Sequence, residues 1–102
     1  MASFTTRVLL NGYPSAEDYE NLHKAMNKRG FSRVIEGSDG KEYWLPHAEY
    51  NRVGNVSRSQ VLEDAKGAAA TVSSKYEVLV TESAGRTWYG LQPVTTAEAT
   101  AN

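Results

Sequence analysis

His23 and His47 are the only two histidines in this 102-residue chain. Histidine is the one side chain whose ordinary pKa lies near neutrality, so proton transfer at neutral pH starts from these two. His47 stands in a dense run of polar types, His47-Ala48-Glu49-Tyr50-Asn51-Arg52. Metal-independent cleavage of RNA needs a base and an acid near the 2′-hydroxyl and the leaving oxygen, and a cation for the charge gathering on phosphorus. His47, Glu49, Tyr50 and Arg52 contain those types, and Arg33 or Arg7 offers a further cation. In a strand, residues two apart share a face. His47 and Glu49 are therefore expected on one side and Tyr50 and Arg52 on the other, so a neighbouring strand has to complete the set. His47, Arg33 and Arg52 are the candidate catalytic residues. His23 falls on the apolar stripe of a predicted helix and reads as a partly buried histidine beside the core.

Other chemistry is excluded more simply. The chain has no Cys, which removes a thiol nucleophile, a disulfide framework and every Cys-based zinc or iron–sulfur site. His47-Ala48-Glu49 matches the H-x-E fragment of zinc deaminases, but the downstream P-C-x-x-C is missing. The two histidines show no metal-ligand spacing. No metal and no small-molecule cofactor is expected.

Basic and aromatic residues interleave over Arg33, Lys41, Tyr43, Trp44, His47, Tyr50 and Arg52, and again at Arg86, Trp88 and Tyr89. Such residues on an exposed sheet face stack and neutralise single-stranded nucleic acid. Arg7, Tyr43, Trp44 and Arg86 are the candidate RNA-binding residues. The competing use of Trp44 and Trp88 is to close the core or a dimer interface. The aromatic signature of RRM domains is absent. Gly37-x-x-Gly40 resembles the GXXG loop of KH domains, but it joins two strands and reads as a hairpin turn. A formal net charge of -1 selects no partner in bulk.

The elements that must position these residues follow from composition and punctuation. Phe4 to Leu10 reads as a strand, stopped by Asn11-Gly12-Tyr13-Pro14. Ser15 and Asp18 form an acidic variant of the capping box, and Gly30 is placed to end the helix. Ala16, Tyr19, Leu22, His23 and Met26 recur at helical spacing. Phe31–Ile35 and Lys41–Leu45 read as a hairpin around Gly37-Ser38-Asp39-Gly40, broken at Pro46. Ala48 to Val53 either continues that strand or forms a short one of its own. A second helix begins at Ser57 with an S-x-x-Q capping box and buries Val61, Leu62, Ala65, Ala68, Ala69 and Val72. Tyr76 to Thr81 is a strand, and Arg86 to Leu91 is a fifth strand or an extension that pairs with a partner.

The order β-α-β-β-α-β predicts an α+β ferredoxin-like fold: a four-stranded antiparallel sheet with both helices on one face and the other face open. One domain is expected over 1–91. Residues 92–102, poor in groups to bury, are expected to form a disordered tail. Val8-Leu9-Leu10 is too short for a signal or membrane segment, so a cytoplasmic protein with no membrane contact is the default.

Several short stretches together resemble one family. Tyr13-Pro14-Ser15 opening a helix, Gly30-Phe31-Ser32-Arg33-Val34-Ile35, Trp44-Leu45-Pro46 and Ser59-Gln60-Val61-Leu62-Glu63-Asp64 look similar to the GhoS family, over positions 5 to 82. The resemblance implies a ferredoxin-like fold related to the CRISPR-associated small nuclease-like adaptors. It also implies an endoribonuclease antitoxin of the type V toxin–antitoxin class, acting on the messenger RNA of a small membrane toxin. The turn Asn11-Gly12-Tyr13-Pro14 departs from related folds, which place an acidic residue at the strand end, so a metal held between protomers is not implied. No catalytic motif carries over residue by residue. The expectation is a small homodimeric protein that binds or cleaves RNA. The alternative is a non-enzymatic interaction module or homodimeric adaptor that uses an open sheet face or an edge strand around Trp88 and Tyr89.

Overall fold

The computed structural model describes residues 1–95. Seven elements follow one another: β1 (Ala2–Leu10), α1 (Ala16–Lys28), β2 (Val34–Glu36), β3 (Glu42–Trp44), β4 (Glu49–Gly54), α2 (Arg58–Ala70) and β5 (Tyr76–Glu82). The architecture is α+β, with a three-stranded antiparallel sheet ordered β4-β1-β5 and a two-stranded sheet β2-β3. This departs from the single four-stranded sheet expected from sequence. Only one isolated bridge, Ser32 to Asn51, connects the hairpin to β4.

The core follows the alternation of β1. Phe4, Thr6, Val8 and Leu10 are buried on one face. Leu22 and Met26 of α1 and Val61, Ala65, Ala68 and Ala69 of α2 close over that face, with Phe31 and Tyr50 completing the cluster. Ser15 accepts from the Asp18 N–H and Asp18 accepts from the Ser15 N–H, so the expected capping box is complete. Ser57 caps α2 through the Gln60 N–H, but Gln60 turns its amide to Asp64 instead of back to the cap. Gly67 sits mid-helix with the Arg29 guanidinium, the mobile end of an exposed side chain, in the space that a Cβ would take. It costs α2 about 1 kcal/mol of propensity relative to Ala.

The C-terminal part corrects two expectations. Arg86 to Leu91 is not a strand. It crosses the open face of the main sheet, where Arg86 donates to Thr5 Oγ1 at 2.9 Å and to Asn51 Oδ1 at 2.9 Å. Trp88 then packs against Tyr43, with ring centroids 5.6 Å apart. Beyond it the chain pairs with β3: Trp44 N–H donates to Gln92, and Val94 N–H donates to Glu42. The start of the expected tail is thus an ordered partner of the hairpin. The remainder of that tail, 96–102, lies outside the described residues. Among the described residues, no helix is long and apolar enough to cross a membrane.

Candidate active site

The structure brings both histidines to one place, which spacing alone did not indicate. Tyr19 and His23 are four apart on α1 and face the same way. His23 Nδ1 lies 2.7 Å from the Tyr50 hydroxyl of β4. His47 lies on the other side, its ring 4.5 Å from Tyr19 and 6.3 Å from His23. Tyr19 is held in turn by the Leu10 N–H, which donates to its hydroxyl at 3.0 Å.

This grouping depends on a local backbone feature. Ala48 is buried and has φ 68, the one described non-glycine residue with positive φ. Its carbonyl accepts from the Val8 N–H at 2.9 Å, and the Glu49 N–H donates to Pro46 across a tight turn. The turn breaks strand alternation just before β4. His47 therefore joins Tyr50 on the α1 side, whereas Glu49 pairs across from Arg7. The expected separation of His47 from Tyr50 is corrected on this ground.

Electrostatics sort the members of the cluster. Burial pushes His23 down from its ordinary 6.5 to about 4; the Arg33 guanidinium and His47 add to the effect, and Glu20 opposes it. His23 is thus neutral at pH 7. Burial raises the Tyr50 pKa, so its hydroxyl keeps its proton. Arg33 reaches this region while stacking on Trp44, its guanidinium carbon 5.2 Å from the ring centroid. A groove of about 380 Å³ runs along α1 from His23 and Arg33, lined also by Glu20, Lys24, Asn27, Lys28 and Phe31.

The remaining sequence candidates lie elsewhere. Arg52 is on the helix side of the sheet, but it is bound to Asp64 at 3.0 Å and lies over Phe31 at 5.2 Å. Its role there is to tie β4 to α2. Arg7 is exposed on the opposite sheet face. Arg86 is engaged with Thr5 and Asn51 on that same face, and partial burial lowers its pKa. Tyr43 donates its hydroxyl to Asp39 at 2.7 Å and faces Trp88, so it belongs to the hairpin's own packing. Neither Trp44 nor Trp88 enters the buried core cluster.

His23, Tyr19 and Glu20 are the members that sequence reasoning left aside. The signal that could have found them is the pair Tyr19 and His23, polar-tipped rings at i and i+4 on an otherwise apolar stripe. Among the described residues, no three His, Asp or Glu side chains converge as a metal-ligand group. No protein-family model and no curated protein matches this chain, so its functional reading rests on the arrangement just described.

Proposed function

We propose that this chain binds single-stranded RNA along the α1 groove and cleaves it without a metal at His23, His47 and Arg33. The observation that carries the reading is two imidazoles with ring centroids 6.3 Å apart, one of which, His23, lines the groove along α1 together with Arg33, Lys24 and Lys28. In the tautomer in which Nδ1 donates to the Tyr50 oxygen, His23 presents a free lone pair at Nε2. That nitrogen takes the proton of the ribose 2′-hydroxyl. The 2′-oxygen attacks the adjacent phosphorus, and the bond from phosphorus to the 5′-oxygen breaks. His47 protonates the departing 5′-oxygen, leaving a 2′,3′-cyclic phosphate and a 5′-hydroxyl. Arg33 offsets the negative charge that gathers on the phosphoryl oxygens.

This is the activity implied by the resemblance to the GhoS antitoxins. It fits a ferredoxin-like arrangement in which the Ser32 to Asn51 bridge joins the hairpin to the main sheet, and it places the protein with cytoplasmic RNA. The test is incubation of the purified protein with mixed RNA, with EDTA and with magnesium. Cleavage in EDTA is expected, with loss of about 10²-fold or more in His23→Ala and in His47→Ala. Arg33→Ala should also weaken binding and flatten its salt dependence by about one phosphate contact. Neither cleavage nor a mobility shift, or cleavage indifferent to both histidines, would refute the reading.

A further inference from the structure

β5 is the outer strand of the main sheet, and among the described residues its far side has no neighbouring strand. The edges of β4 and β3 each carry one bridge, Ser32 to Asn51 and Pro93 to Tyr43. β5 runs seven residues, Tyr-Glu-Val-Leu-Val-Thr-Glu, without Pro, Lys or a bulge; Glu77 and Glu82 are its only charges. Leu79 at its centre is 65% exposed.

We propose that two copies of this chain pair β5 against β5, antiparallel, around a two-fold axis through Leu79, joining their main sheets into one. Backbone phase together with full overlap of the strand favours this register. Ser83 N–H donates to Ser3, and Asn11 N–H donates to Lys75, so the odd-numbered residues around β5 turn their backbone groups to β1. By alternation, Tyr76, Val78, Val80 and Glu82 turn theirs outward. With the axis at Leu79, each outward residue meets an outward residue of the second copy: Val78 meets Val80, and Tyr76 meets Glu82. Shifting the axis to Val78 or Val80 leaves residues at one end of the strand unpaired.

The side chains agree with the backbone. Glu77 falls opposite Thr81 and Glu82 opposite Tyr76, so no two carboxylates face each other. Glu82 is also within 3.9 Å of Arg58 of its own chain. Leu79 meets Leu79 of the second copy in a non-hydrogen-bonded pair, the closer of the two antiparallel pair types. Val78 and Val80, half-buried at the margin of the core, gain cover on their open side. The contact is isologous and closes at two copies.

The experiment is sedimentation of the full chain, without RNA, over a range of concentrations, with far-UV circular dichroism to confirm folding. The wild type should run at twice the chain mass. Leu79→Lys and Leu79→Glu should each run at half that mass, because like charges then face each other across the axis. Mixing the two variants should restore the dimer. The absence of Cys allows a second reading of register. Leu79→Cys should cross-link under mild oxidation, because paired Cα atoms about 4.5 Å apart suit a disulfide, and Glu77→Cys should not. A wild type that is monomeric throughout, a dimer that survives both charge substitutions or is not restored by mixing, or equal cross-linking at positions 77 and 79 would overturn the proposal.

Discussion

Replacing His23 by Gln should remove a specific part of the protein's acid sensitivity. In the folded chain His23 titrates at about 4, against its ordinary 6.5. Burial is the main cause; Arg33 and His47 act in the same direction and Glu20 against it. The unfolded chain therefore takes up this proton first as pH falls. The stability that neutral His23 contributes is fully present above 6.5 and is lost progressively between 6.5 and 4. The gap between those values sets a ceiling of about 3 kcal/mol. Water reaching the half-buried ring screens it, and about 1–2 kcal/mol is the expected size. Gln keeps a hydrogen-bonding partner for the Tyr50 hydroxyl but does not titrate. Urea unfolding of both proteins at a series of pH values isolates the effect, since every carboxylate that titrates in this range is common to the two. The wild type should lose about 1–2 kcal/mol more than His23→Gln across the window. Parallel stability curves would show that the imidazole is as well solvated when folded as when unfolded, and would remove the basis for a neutral His23 at the site.

Among the described residues, the buried Thr6 hydroxyl has no hydrogen-bond partner. Thr6→Val should therefore raise stability by about 1 kcal/mol, seen as a thermal midpoint ~4–8 °C higher; a fall would mean that the hydroxyl is paired in solution. Arg52→Met should lower stability by about 1–2 kcal/mol through loss of the Asp64 ion pair, with RNA affinity unchanged. A loss of affinity in a variant that stays fully folded would return Arg52 to the site. Arg86→Ala should free the segment that crosses the open sheet face, shifting tryptophan emission to the red as Trp88 becomes wetted and speeding amide exchange at Val94. Unchanged exchange at Val94 would show that the pairing with β3 holds without the Arg86 anchor.

Much of the fold was legible because it is written in local patterns. The Ser15 and Asp18 box, the stripe through Leu22 and Met26 and the small face of α2 are decided within a few residues by capping and periodicity. What escaped depends on contacts between distant segments. The path of Arg86 to Val94 is fixed by Thr5, Asn51, Tyr43 and Glu42, and no local propensity marks it. The candidate site was half legible. His47 and Arg33 stand out by type, but the apolar stripe of α1 makes His23 read as a partly buried residue beside the core. The positive φ of Ala48 then reverses the side on which His47 falls. An alanine carries no sign of such a conformation, since glycine and asparagine are its usual bearers.

The central place of β1 has a consequence for the order in which the chain can assemble on the ribosome. β1 pairs with β4 on one side and β5 on the other, and both partners are synthesised long after it. Translation at ~5–20 residues per second leaves the apolar face of β1 waiting roughly 2–8 seconds for β4 alone. Phe4, Val8 and Leu10 are exposed during that interval. A nascent chain halted before β4 offers a bare, strand-forming segment to chaperones, whereas one released after β5 can close its sheet in a single concerted step.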